Sequence, residues 1–279
     1  MKVYLYVVTA SPNPDFVECV VPFKVGDLIF FGPCKRRIRK KFYKIMKEEK
    51  SDCVDISDRE IYIIGVNGSN SKKIRKVIWA GKVTCIMTFE RAFNEFINDK
   101  RFKEMIECKH SPLIVKPIYD VRGNFIGYER RSGEHKDNNV WVEDITGKKY
   151  NSEIIVNGDK LLLKNPSRRW EILTMDCCFI CENIFFAEGK GIDIDEDIIN
   201  ILKIHQKEKK GIDNYNIFGK RKDGSADGRT GSYLPIGNEN ELAKKLMLII
   251  RKKANEITEP PGENRALLEL CRGKGRSIC

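Results

Sequence analysis

Glu134 and His135 place a carboxylate beside an imidazole, inside the polar run Glu129 to Asp144 (ERRSGEHKDNNVWVED) of a chain with only three histidines. A neighbouring carboxylate keeps imidazole titration near neutrality, which suits general acid/base chemistry on a base or nucleotide. The plainer alternative is an exposed loop histidine. Trp141, in the same run, fits stacking on a base, or, flanked by Val140 and Val142, a place in the core. A further carboxylate, Glu182, falls in the apolar segment Trp170 to Ala187 (WEILTMDCCFICENIFFA) together with Asp176 and Asn183. Such groups need partners or a function: Glu182 would polarise a water or sugar, or pair with an internal Lys or Arg. Cys177, Cys178 and Cys181 offer a Cys-x-x-Cys spacing, but zinc takes four donors and no second pair of this kind occurs, so no metal site and no cofactor is expected. The acids Asp193, Asp195, Glu196 and Asp197 lack calcium-loop spacing and suit a helix N-terminus.

The second chemistry-bearing feature binds anions. Between Lys35 and Lys44 seven of ten residues are Lys or Arg and none is acidic. Lys35, Arg36, Arg37, Arg39, Lys40 and Lys44 are therefore the candidate phosphate contacts. Cys34 would sit in the first turn of the same helix, where a thiol pKa falls, but a packing role fits a cysteine with no histidine nearby in sequence better. Asn67 and Asn70, in Asn67-Gly68-Ser69-Asn70-Ser71, could offer amide hydrogens to a phosphate, but the phosphate-loop pattern is absent and Asn-Gly also favours a hairpin turn.

These residues need elements to hold them. Ile38, Phe42, Ile45 and Met46 recur at helical spacing after Gly32-Pro33, so the basic block reads as an amphipathic helix with the cations, Arg39 among them, on its outer side. Val3 to Thr9, Leu28 to Phe31, Glu60 to Val66 and Val77 to Val83 read as strands. Thr88 is an N-cap candidate, with Glu90 in the first turn and Phe89, Ala92, Phe93 and Phe96 forming an apolar face. Hairpins are expected around Arg122-Gly123-Asn124 and Asn157-Gly158, and Leu242, Leu246, Ile249 and Ile250 mark a last helix. Periodicity leaves Trp170 to Ala187 open between a buried helix and two strands. Paired strands separated by single helices predict an α+β fold: a mixed, mostly antiparallel twisted sheet, or a partly open barrel, with four to five helices. One domain is expected over residues 1–255, with a basic, polar tail over 256–279.

The chain has 279 residues, 41% hydrophobic, with a formal net charge of +11. That supports an ordinary core and attraction to polyanions. No apolar run is long enough to span a bilayer and the first residues lack a signal-peptide pattern, so a cytoplasmic protein without a membrane partner is expected. Ten scattered cysteines read as reduced, packed thiols.

The segments VYLYVVTASPNPDF, GDLIFFGPCKRRIRKKF, KVIWAGKVTCIMTFERAFNEFINDKRF, YERRSGEHKDNNVWVED and DCCFICENIFFAEGKGI together resemble the second nucleotide-modification-associated domain family. Cys34, Lys35, Ile38 and Arg39 match its N-terminal motif, with Arg36 where Pro is commoner. The resemblance implies a DNA- or nucleotide-linked role in a prokaryotic or phage base-modification or defence system. Two readings follow: an accessory protein that binds or senses modified DNA or nucleotides, and an enzyme acting on a modified base, hydrolase- or glycosylase-like, through His135, Glu134 and Glu182. An RNA-binding module is a third.

Overall fold

The computed structural model describes residues 1–7, 22–32, 36–66, 76–102, 115–130, 139–141, 153–156, 159–164, 176–187, 191–201, 233–236 and 241–257. Among them are fourteen strands and four α-helices, an α+β fold whose sheets do not close into a barrel. The chain divides into two compact units, one gathering Met1–Val21, Ser57–Val83 and Glu182–Leu268, the other Pro22–Ile56, Thr84–Cys181 and Glu269–Cys279.

In the first unit β1 (Lys2–Val7) lies between β14 (Tyr233–Ile236), antiparallel, and β5 (Ile61–Val66), parallel. The β-branched and aromatic content of KVYLYV and IYIIGV suits this doubly flanked position. β5 then pairs antiparallel with the start of β6 (Lys76–Met87), with a register shift at Gly65/Val66, and β13 (Ile192–Asp193) joins β6 at Val77. Gly65 sits opposite Trp79, where a Cβ would lie 2.0 Å from the indole Nε1. Helix α4 (Glu241–Ile257) buries Leu242, Leu246, Met247 and Ile250 in one cluster with Val3, Leu5, Ile64 and Ile198. Asp195 receives the Ile198 amide at the start of α3 (residues 196–201) and pairs with Lys253 of α4, so these acids serve a helix terminus. The Lys253 ammonium holds the Asp195 carboxyl below the usual carboxylate range.

The second unit contains the hairpin β2 (Phe23–Val25) and β3 (Leu28–Phe31), closed at Gly26, whose φ of 57° favours glycine. In the sheet order β3 is followed by β12 (Cys178–Phe186) and then the end of β6, against which β4 (Cys53–Asp55) pairs. Over its described part, residues 176–187, Trp170 to Ala187 thus holds a strand and no helix. Residues 178–181 are buried without interruption, as expected of a strand covered on both faces. Helices α1 (Arg36–Glu49) and α2 (Phe89–Phe96) and a 3-10 turn at Lys100–Phe102 complete this layer.

A separate five-stranded sheet has the order β10-β11-β9-β8-β7. β7 (Val115–Tyr119) and β8 (Phe125–Arg130) form the expected hairpin, and Asp120 locks its turn by accepting from the Arg122 and Asn124 amides. β10 (Glu153–Val156) and β11 (Asp159–Lys164) pair about residues 157–158, also as expected. β9 (Asn139–Trp141) lies between β8 and β11.

The thiol reading needs one correction. Cys177, Cys178 and Cys181 are free and buried, but Cys53 is disulfide-bonded. Which sulfurs meet is set by tertiary packing, which scattered sequence positions do not state.

Candidate nucleic-acid interface

Helix α1 is built on the apolar spacing of its sequence. At about 100° per residue, Phe42 and Met46 fall within about 80° of Ile38 on the helix surface. All three are buried, and Ile45 is half-buried. The Phe42 ring meets Phe179 of β12 at 4.9 Å between centroids, and Phe179 in turn stacks on Phe31 of β3 at 4.5 Å. Lys50, at φ 51°, ends the helix in the left-handed conformation, and the Ser51 amide reaches back to the Met46 carbonyl at 3.3 Å. A side chain there is strained where glycine would not be. Lys50→Gly is expected to raise stability by about 0.5–1 kcal/mol in denaturant unfolding.

Arg39 corrects the sequence reading. It was expected among the outward phosphate contacts, yet it is 0% exposed. Its position, about 100° from Ile38, lies at the rim of the apolar arc, and that rim faces β12 and α2. The guanidinium donates to the Cys177 carbonyl at 3.3 Å and stands 5.5 Å over the Phe89 ring. A planar, weakly hydrated cation tolerates such a place better than an ammonium does.

Lys40, Lys41, Lys44 and Lys47 occupy the opposite side and are all exposed. Lys44 makes an i,i+4 pair with Glu48 at 3.6 Å, and the Lys47 ammonium lies 4.9 Å from the Tyr43 ring centre. Exposed pairs of this kind contribute about 0–1 kcal/mol, so Lys44 remains available to a stronger anion. Arg36 and Arg37 lie in the first turn of α1, but their side chains, like all of Lys35, fall outside the described residues. Asn67 and Asn70 fall outside them too.

The predicted acid/base residues are not assembled within the described structure. Glu134 and His135 lie outside it, in a segment bounded by β8 and β9. Trp141, read as a base-stacking residue of the polar run or as core, is the end of β9, opposite Tyr128 in register, because pairing with β8 and β11 takes Asn139 to Trp141 into the sheet. Glu182 is exposed on β12 and has neither of its proposed acid/base companions among the described residues.

A polar network that the sequence only hinted at surrounds the start of α2. Thr88 is the N-cap and accepts from the Arg91 amide, as its spacing predicted. The Phe89 amide donates to Asp176 at 2.9 Å, and the Glu90 amide donates to the Tyr128 hydroxyl, which donates to Asp176 at 2.6 Å. Outside it, Tyr119 donates to Glu90 at 2.6 Å and receives Asn94 at 3.1 Å. Asp176 thus stands where an anion would bind a helix start, and it completes the cap with Thr88 and Tyr128. Burial first, then the Asp176 charge, pushes the Tyr128 phenol well above its ordinary range. Burial likewise raises the Cys177, Cys178 and Cys181 thiols, so none of them is a nucleophile near neutral pH. Among the described residues no group of three or more His, Cys, Asp or Glu is arranged to hold a metal, and no helix is long and apolar enough to cross a membrane. The signal that could have located this network was Asp176 itself, a carboxylate at the edge of an apolar run.

Comparison with known proteins finds no matching protein-family model, no matching curated protein and no matching solved structure.

Proposed function

We propose that the chain is a nucleic-acid-binding accessory protein that holds or senses modified DNA or nucleotides in a prokaryotic or phage base-modification or defence system. The observation that carries the binding part is the outer side of α1, where Lys40, Lys41, Lys44 and Lys47 are exposed while Ile38, Phe42 and Met46 anchor the opposite side. A cationic ridge on a fixed support can meet phosphates without first ordering a loop, so little binding energy is lost to ordering. The net charge of +11 favours the same class of partner. The link to base modification rests on the resemblance of the segments quoted above.

The test is a Lys40→Gln, Lys44→Gln, Lys47→Gln variant titrated against fluorescently labelled duplex DNA. Three lost phosphate contacts should weaken binding by roughly 10²-fold or more at moderate salt and flatten the salt dependence. A variant with unaltered melting temperature and wild-type affinity would remove α1 from the interface.

A further inference from the structure

We infer that Cys53 and Cys85 form a thiol–disulfide exchange site, in which the Cys85 sulfur takes over the disulfide bond of Cys53. The inference stands apart from the nucleic-acid reading. Cys53 is disulfide-bonded, whereas Cys85, Cys177, Cys178 and Cys181 carry thiols, so the cysteine bound to Cys53 lies outside the described residues. The Cys85 Sγ stands 3.5 Å from the Cys53 Sγ, in contact with one half of that bond. Strand pairing puts it there. β4 and β6 run antiparallel with Cys53 opposite Met87 and Asp55 opposite Cys85. Residues two apart share a face of a strand, so Cys53 and Cys85 are diagonal neighbours on one face of the ladder. The Thr88 amide donates to the Asp52 carbonyl at 2.9 Å and the Ile56 amide to the Thr84 carbonyl at 2.8 Å, which ties β4 to β6 at both of its ends.

A disulfide bond is about 2.0 Å long, so the Cys85 sulfur has about 1.5 Å to close, a movement small enough for side-chain torsion with both strands in place. Exchange also needs a thiolate, which needs water. Cys85 is 9% exposed, against 0–2% for Cys177, Cys178 and Cys181. Loss of its proton to water leaves a thiolate whose sulfur attacks the Cys53 sulfur. The Cys53–Cys85 bond forms as the existing bond of Cys53 breaks, and the displaced cysteine leaves as a thiolate and takes up a proton. One disulfide and one thiol enter the step and one of each leaves it, so no oxidant or reductant is consumed. The result is a choice between two covalent arrangements of one sequence: a link from β4 to the other cysteine, or a clamp between β4 and β6 that releases a thiol elsewhere.

The experiment incubates the full chain, purified without reductant, with iodoacetamide at about pH 8.5, near the ordinary thiol pKa, and maps bonds and labels by mass spectrometry of an unreduced digest. Alkylation of the displaced thiol drives the exchange forward. A Cys53–Cys85 peptide pair should therefore accumulate together with a label on the displaced cysteine, and that label should form at least about tenfold more slowly in Cys85→Ser and in Cys85→Ala, which lack the attacking sulfur. Labelling of Cys85 itself with the first Cys53 bond intact, equal labelling of the displaced cysteine in wild type and in a variant of unchanged melting temperature, or a purified chain whose Cys53 carries no disulfide would overturn the inference. The Cys53–Cys85 pair is read in the wild-type chain, so the test holds even where both variants melt lower.

Discussion

Gly65→Ala is expected to cost about 3–5 kcal/mol, the overpacking of a core position combined with a broken buried hydrogen bond. A Cβ built on Gly65 lies 2.0 Å from Trp79 Nε1 and 2.3 Å from Cδ1. The indole has no room to yield. Trp79 is wholly buried, its Nε1 donates to the Tyr6 hydroxyl at 2.8 Å, and its ring meets the Tyr6 ring edge-on at 6.0 Å. Displacing the indole breaks that bond and disturbs β1, β5 and β6 together, since Tyr6, Gly65 and Trp79 belong to these adjacent strands. Denaturant unfolding of Gly65→Ala, Trp79→Phe and the double variant measures the effect. The coupling between the two sites should exceed about 1 kcal/mol, because the smaller ring relieves part of the clash. Additive effects would mean that the β5 backbone moves instead of the indole.

The second large effect separates two neighbours in sequence. Arg39→Ala should lose about 3–5 kcal/mol, from the cavity left by a fully buried side chain and from the Cys177 carbonyl deprived of its donor. The melting temperature should then fall by roughly 10 °C, given about 2–4 °C per kcal/mol for a domain of this size. Lys40→Ala, one residue along, should stay within about 0.5 kcal/mol of wild type and weaken nucleic-acid binding instead. Arg39→Lys tests the geometry: an ammonium lacks the flat face that lies over Phe89, so it should recover only part of the loss. Wild-type stability in Arg39→Ala would place the side chain at the surface and return it to the phosphate contacts.

These two positions show where sequence reasoning stops. Gly65 was legible as one strand residue among apolar neighbours; that it faces Trp79 across β6 depends on a strand register, which no local pattern states. Arg39 carried the charge of its neighbours and was grouped with them. Its actual position at the rim of the apolar arc becomes decisive only because β12 and α2 fill the space on that side, with a partner 138 residues away at Cys177. Trp141 stood open between base stacking and the core for a related reason: the polar residues before it dominate the local composition, while its strand character comes from β8 and β11 on either side.

By itself the sequence determined what depends on residues close together along the chain. The spacing of Ile38, Phe42 and Met46 produces α1, Thr88 caps α2, and the turn about Gly123 closes its hairpin, because helix periodicity, capping and turn geometry are satisfied within a few residues. The cationic outer face of α1 follows from the same periodicity. Tertiary structure alone decided that the described end of Trp170 to Ala187 is a strand, that Asp176 and Tyr128 complete the α2 cap from 87 and 38 residues away, and that Arg39 turns inward. Each of those outcomes is set by which groups a buried polar atom can reach once the sheets have assembled, a constraint that distant segments impose on one another.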